Sequence, residues 1–280
     1  MASVAPVTTD RPPSQLLGPE HDNPNPVPVT RSYLLCTTPR SGSNLLCDAL
    51  TQTQLLGTPT EYLEFGIATP YLARRWGTSN LLDFMETLRR HRVGPNGVFG
   101  MKIHWHQLKA LTESLALGGK PMRDLPVRQI GLVLEAIAPD AHLIRLSRSD
   151  MLSQSISLFK ASGTQQWSSY MEKRGGPPEY SYDELLKCYL SIAWSERLWT
   201  RLFDRLGRPV LWFDYEDVTK RRQEVVDRIA ETVGIGHAAP PLAAPTLHKQ
   251  SDGWNADTKA RFVADLEARD IDLETLVPSV

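Results

Sequence analysis

The segment that spans residues 37–44 reads TTPRSGSN and has the composition of a loop that binds an anion. An apolar run at 32–36 precedes it and an apolar helical pattern at 45–50 follows it, so the sequence predicts a strand, a tight loop and a helix. Open N–H groups and a partial positive charge at a helix N-terminus favour a phosphate or a similar anion. We therefore predict an anion site formed by Thr38, Pro39, Arg40, Ser41, Gly42, Ser43 and Asn44.

A second arginine follows another predicted strand. The run at 142–146 reads as a strand, and Arg148 comes shortly after it, ahead of a predicted helix at 150–161. A phosphate held at the start of a helix gains from the two parallel hydrogen bonds that a guanidinium can donate. This chemistry makes Arg148 a candidate for a second anion contact, whereas the alternative is an exposed arginine near the start of a helix.

Three side chains could accept a proton beside these loops. Glu61 and Glu64 follow the helix that the loop opens, and His104 lies on another predicted strand. Lys102 and His104 share one face of that strand because alternate residues point to the same side. An imidazole titrates near neutral pH and is a natural base. His106 completes an HxH pair, but no third or fourth ligand is evident, so we predict no metal site.

The elements that must position these residues alternate between strand and helix. Such alternation is typical of the α/β class, with a central parallel sheet flanked by helices. The predicted strands are 32–36, 98–105, 142–146 and 209–213, and the predicted helices are 45–50, 81–92, 127–138, 150–161, 182–206, 214–233 and 255–269.

Composition excludes several classes of protein. The chain has 280 residues, and 31 Lys and Arg balance 32 Asp and Glu, so it lacks the basic excess of a general nucleic-acid binder. No apolar run approaches the roughly 18 residues that would span a membrane, and no secretory signal is visible. The three cysteines have no CxxC spacing and are typical of reduced thiols in a cytoplasmic protein.

The first 30 residues differ in composition from the rest of the chain. They contain seven of the 21 prolines and no apolar periodicity. Such a segment buries too little apolar area to offset its ordering entropy, so we predict a disordered tail over 1–30 and one domain over 31–280.

Three motifs occur in a fixed order: PRSGSN at 39–44, GTPTE at 57–61 and GVFGMK at 97–102. In these motifs the chain resembles sulfotransferases that use 3′-phosphoadenosine 5′-phosphosulfate (PAPS), most of all the bacterial trehalose 2-sulfotransferase family. The resemblance extends from about residue 32 to 260. It implies a P-loop-like sulfotransferase fold for the domain.

The resemblance also implies an activity. The enzyme would transfer a sulfuryl group from PAPS to a hydroxyl of a carbohydrate, a glycolipid or another small molecule. Arginines, lysines and helix dipoles would supply the positive charge that stabilises the leaving oxygen, so we expect no metal ion. The resemblance suggests a homodimer as well.

Roles for the chemical step follow from the same resemblance. Glu61 matches the family's catalytic glutamate and is our candidate for the general base. His104 is the rival base, because many other sulfotransferases carry K-x-H on this strand. Arg40 would stabilise the leaving oxygen and the transferred group.

Binding of the cofactor's 3′-phosphate is assigned by the resemblance to Arg148, Ser157 and Lys249. The residue at the family's usual distance from the arginine is an isoleucine here. Ser155 and Arg145 are therefore alternatives.

Two other classes of function stay open at this point. The first is a nucleotide-dependent, kinase-like enzyme, which would normally carry a GxxxxGK[ST] loop that this chain lacks. The second is a non-catalytic nucleotide-binding protein. Binding of 3′-phosphoadenosine 5′-phosphate (PAP) in strong preference to AMP would favour the sulfotransferase over the kinase.

Overall fold

The computed structural model describes residues 12–116, 119–236, 239–247 and 251–277. Four strands form one sheet in the order β2-β1-β3-β4, and all neighbouring strands are parallel. The strands are β1 (Arg31–Thr37), β2 (Val98–His104), β3 (His142–Ser147) and β4 (Val210–Asp214). The helices are α1 (Ser43–Gln52), α2 (Ala68–Trp76), α3 (Leu81–Arg92), α4 (Trp105–Leu115), α5 (Val127–Ile137), α6 (Met151–Thr164), α7 (Tyr182–Leu206), α8 (Tyr215–Lys220), α9 (Arg222–Thr232) and α10 (Gly253–Ala268).

Helices cover both faces of the sheet, which confirms the predicted α/β class. On β1, Leu34 and Cys36 pack into a core with residues of α3, α5 and α7. Tyr33 and Leu35 point to the opposite face and pack into a second core with residues of α1 and α9. A strand that is buried on both faces must be apolar along its whole length, which explains why it reads as a continuous apolar run.

The N-terminal segment differs from the prediction of a disordered tail where the structure describes it. Leu16 and Leu17 are buried, and the backbone carbonyls of 16–18 accept hydrogen bonds from Arg92, which is 1% exposed. Asp22 forms ion pairs with Arg75 and Arg92. We call residues 14–22 the N-terminal strap. Composition did not indicate its attachment, because a buried guanidinium and backbone carbonyls, rather than apolar periodicity, hold much of it.

Several boundaries also differ from the prediction. The helices α2 and α4 were not predicted, and the predicted helix at 214–233 is divided into α8 and α9 at Arg221. Helix α4 begins directly after β2, with His104 both ending the strand and capping the helix.

No helix within the described ranges is both long enough and apolar enough to cross a bilayer.

Candidate active site

The carboxyl ends of β1 and β3 are neighbours at the point where the strand order changes direction. The chain passes from β1 to β2 on one side, and from β3 to β4 on the other. In open parallel sheets this switch point forms a crevice that binds ligands. The loop at 38–42 follows β1, and Arg148 follows β3, so the structure brings the two predicted anion-binding segments together.

The loop after β1 turns through two left-handed residues, Arg40 (φ 64°) and Gly42 (φ 84°). A Cβ at Gly42 would lie 2.5 Å from the ring of Tyr215, so this position needs glycine for space as well as for its backbone angle. Helix α1 begins at Ser43, and within the described ranges no side chain caps its first N–H groups. Those donors face the crevice end of the sheet and suit an anion.

Buried polar contacts hold this loop from below. Thr38 Oγ1 donates to Glu196 Oε1 at 2.6 Å, and Gln154 Nε2 donates to Thr38 Oγ1 at 2.9 Å and to Pro39 O at 2.7 Å. Ser41 is fully buried and shares a 2.6 Å hydrogen bond with the Thr37 hydroxyl. The side chains of Thr38 and Ser41, predicted among the binding residues, are therefore buried and support the conformation of the loop.

Arg145 belongs to the same buried network. It is fully buried, donates to Cys36 O and Leu146 O at 2.9 and 2.7 Å, and forms an ion pair with Glu196. Burial and the ion pair with Glu196 therefore favour Arg148 over Arg145 as the candidate for the 3′-phosphate. The sequence analysis missed Glu196 and Gln154 because they lie on α7 and α6, far along the chain from the loop that they support.

Two arginines, Arg40 and Arg148, are close enough at the loop to interact electrostatically. Arg40 Nε donates to Ser157 Oγ at 2.9 Å, and Arg148 Nη1 donates to Arg40 O at 3.4 Å. Arg148 also stacks over Tyr215, with its Cζ 4.4 Å from the ring centre, and its buried Nε has no hydrogen-bond partner among the described residues. Burial and the charge of Arg148 lower the pKa of Arg40 to about 10. Two crowded cations of this kind favour an anionic ligand.

Of the two candidate serines, Ser157 is the one that contacts an arginine of the loop, Arg40. Ser155 is fully buried and its hydroxyl donates to Met151 O in its own helix. Ser157 and Arg40 line a cavity of about 280 Å³, together with Lys160, Lys173 and Asp252. Lys160 Nζ is 2.8 Å from Asp252 Oδ1. The remaining predicted ligand, Lys249, lies outside the described residues.

Glu61 lies in a cluster of three donors beside the loop. Its Oε1 is 2.6 Å from Lys102 Nζ and 2.9 Å from His104 Nε2, and its Oε2 accepts from Gln107 Nε2 at 3.2 Å. Lys102 also donates to Asn44 Oδ1, which links this cluster to the first turn of α1. The sequence analysis placed Lys102 and His104 on one face of their strand, and the structure adds Glu61 to this pair, with its carboxylate in contact with both.

The electrostatics of this cluster keep the carboxylate ionised. Burial raises the pKa of Glu61, but the charges and hydrogen bonds of His104 and Lys102 outweigh it and hold the pKa well below the ordinary value of a glutamate. The negative charge of Glu61 opposes, but does not outweigh, the lowering of the Arg40 pKa by burial and by Arg148. The two residues therefore interact electrostatically.

The rival proton acceptors are engaged elsewhere: His104 is buried, and Glu64 caps a helix. His104 is 4% exposed and its Nε2 points at Glu61, whereas the Glu61 side chain is 27% exposed. Glu64 accepts hydrogen bonds from the backbone N–H groups of 66, 67 and 68 at the start of α2, which is a capping role. Within the described ranges, no group of three His, Cys, Asp or Glu side chains is placed to hold a metal ion.

Three known proteins are similar to this chain. Trehalose 2-sulfotransferase from Mycolicibacterium smegmatis is 24% identical over 267 residues, covering 84% of this chain and 96% of that protein. Trehalose 2-sulfotransferase from Mycobacterium tuberculosis is 26% identical over 261 residues, covering 81% and 93%. The sulfotransferase domain of the olefin synthase from Synechococcus PCC 7002 aligns with a TM-score of 0.44 at 17% identity, over 90% of this chain and 97% of that chain.

A family-wide comparison covers the whole sheet and both parts of the site. The sequence model of the Stf0 sulphotransferase family matches residues 32–265, which include the loop after β1, Glu61 and Arg148. The match spans most of the chain, and the chain therefore belongs to the Stf0 sulphotransferase family.

Proposed function

We propose that this chain is a PAPS-dependent sulfotransferase that acts on a carbohydrate hydroxyl, with Glu61 as the general base. The single observation that carries the proposal is the meeting of an uncapped helix N-terminus, two arginines and an ionised glutamate at one edge of the sheet. The two trehalose 2-sulfotransferases among its relatives support a carbohydrate as the acceptor.

The residues around the loop fit a donor with two anionic ends. The uncapped N–H groups of α1 and the Arg40 guanidinium suit the 5′ end. The buried Nε of Arg148 has no hydrogen-bond partner in the described part of the chain, and a buried donor of this kind is costly unless a ligand satisfies it. Arg148, together with Ser157, therefore suits the 3′-phosphate of the donor. Lys249 stays a further candidate for that phosphate.

When bound, PAPS supplies an activated sulfuryl group, whose bond to the phosphate oxygen breaks as the acceptor oxygen attacks sulfur. Glu61 takes the proton of the acceptor hydroxyl, which becomes acidic as its oxygen bonds to sulfur. An already ionised, weakly basic carboxylate therefore suffices for this step. Arg40 stabilises the negative charge that grows on the leaving phosphate oxygen. Lys102 and His104 hold the carboxylate in place.

Calorimetry with PAP and AMP tests donor binding. We expect PAP to bind far more tightly than AMP, because only PAP carries the 3′-phosphate. Transfer of labelled sulfate from PAPS to a panel of sugars that includes trehalose then tests the reaction. A protein that binds neither nucleotide would refute the donor site, and PAP binding without transfer to any acceptor would favour a non-catalytic binder.

A further inference from the structure

Gln107 lies in the first turn of α4 and contacts the Glu61 carboxylate. The residue is 1% exposed. Its Oε1 accepts a hydrogen bond from the His104 backbone N–H at 2.9 Å, and its Nε2 donates to Glu61 Oε2 at 3.2 Å. Both ends of the amide are therefore engaged, and rotating the amide by half a turn would break both hydrogen bonds.

The two oxygens of Glu61 have different surroundings. Oε1 faces the Lys102 ammonium at 2.6 Å and His104 Nε2 at 2.9 Å. Oε2 has a single and longer contact, from the neutral amide of Gln107. An ionised carboxylate oxygen has about two lone-pair sites. Among the described residues, Oε1 is thus fully used, and Oε2 keeps one site for a further hydrogen bond.

The terminal torsion of a glutamate is broad and nearly two-fold, so two donors on one oxygen do not by themselves fix the plane of the carboxylate. A third donor on the other oxygen does fix it. Gln107 is held in place by the backbone at the junction of β2 and α4, which makes it a rigid donor.

We propose that Gln107 is a positioning residue, whose amide orients the Glu61 carboxylate so that Oε2 presents its remaining lone pair to the acceptor hydroxyl. This inference rests on the proposed function, since it names the oxygen that takes the proton. As the bond between the acceptor oxygen and sulfur forms, the hydroxyl proton moves to Oε2, and Oε1 keeps its contacts with Lys102 and His104. The proton leaves to solvent after the product departs.

Two variants separate this role from a merely structural one. Gln107→Glu keeps an oxygen that accepts from the His104 N–H, so α4 stays capped, but it replaces the donor to Glu61 by an oxygen. Gln107→Met is neutral and removes both hydrogen bonds without adding repulsion. In both variants we expect kcat to fall by about 10–100-fold with an unchanged KM for PAPS, because misplacing a reacting group by about 1 Å can cost about 100-fold.

The pH profile provides a second readout. A hydrogen bond to the ionised form lowers a carboxyl pKa, and a neighbouring negative charge raises it. The acid limb of kcat/KM should therefore move to higher pH in both variants, and further in Gln107→Glu. Lys109→Gln, on the exposed side of the same helix, is the matched control and should keep the native profile.

A Gln107→Met protein that is folded, turns over at the native rate and keeps the native acid limb would overturn the inference. If Gln107→Met does not fold, the same result in Gln107→Glu would overturn it. Failure of the proposed function is distinguishable from failure of this inference. In the first case the native protein itself would neither bind PAP nor transfer sulfate, whereas in the second only the effect of the Gln107 variants would be absent.

Discussion

Glu61 combines an accessible carboxylate with fixed donors on both oxygens, whereas His104 is buried and points at Glu61. His104 Nε2 is engaged with the carboxylate, and His104 Nδ1 is buried. We therefore propose Glu61, rather than His104, as the residue that takes the proton. This assignment is a proposal that substitution at both positions can test.

Glu61→Gln keeps the size of the side chain and removes its ability to accept a proton. We expect turnover to fall by about 10²–10⁴-fold, the usual contribution of a general base, with PAP affinity nearly unchanged. Sulfate transfer and calorimetry measure the two quantities. Glu64→Gln is the matched control and should retain turnover, since Glu64 caps α2. Near-native turnover in Glu61→Gln would move the base to His104.

Arg148→Ala removes the guanidinium that lies between Arg40 and Tyr215. A hydrogen bond to a charged group contributes about 1.5–3 kcal/mol, so PAP affinity should fall by roughly ten- to a hundred-fold. AMP affinity should change much less, because AMP lacks the 3′-phosphate. Arg123→Ala, at a side chain that is 85% exposed, is the control. Equal losses for PAP and AMP would contradict the assignment to the 3′-phosphate.

The sequence identified part of the site and missed the residues that support it. The loop after β1, Glu61, Lys102 and His104 could be recognised because they lie in short motifs with the spacing of a strand or a loop. Glu196, Gln154 and Gln107 could not, because each acts through a contact between distant segments or across the junction of β2 and α4.

At the scale of elements, capped helices were the most predictable. Helices α3 and α7 have their predicted bounds, and their N-caps, Asn80 and Ser181, accept hydrogen bonds from the first turn. Gly207 ends α7 in the left-handed conformation. Helix α4 was missed because it follows β2 without a loop, so the sequence shows no turn residues between the two elements.

The N-terminal strap should contribute measurably to stability. Asp22→Asn removes the charge that faces Arg75 and the buried Arg92. Weakening a partner of a buried polar group costs about 1–3 kcal/mol, so we expect the melting temperature to fall by several degrees.

Glu20→Gln lies in the same strap at an exposed side chain and is the control for this substitution. Thermal unfolding, followed by circular dichroism, compares the two variants with the native protein. Identical melting temperatures in all three would show that the strap is only loosely attached.

At the scale of the whole molecule, net charge and local charge differ. The chain carries a formal net charge of -1, yet Arg40, Arg148, Lys160 and Lys173 surround the loop and its cavity. If the proposed donor binds here, its attraction to the protein is local, and salt should screen it. The Debye length falls from about 10 Å at 0.1 M to about 3 Å at 1 M ionic strength.

PAP affinity should consequently decrease steadily as sodium chloride is raised over that range, while the melting temperature of the ligand-free protein changes little. Calorimetric titrations at several salt concentrations measure the first effect, and thermal unfolding measures the second. A PAP affinity that is independent of salt would argue against the two arginines as the main contacts.

The strand order has a consequence for how the chain can vary. The seven-residue strand β1 pairs through Thr37 with His104 on one side and with Leu146 on the other. A shift of one residue in a strand moves every side chain to the opposite face of the sheet. An insertion or deletion inside β1 would therefore displace the loop after β1 relative to both flanking strands. Length changes are more tolerable in the connections between elements, whereas the length of β1 fixes the position of the loop at 38–42 relative to His104 and to the end of β3.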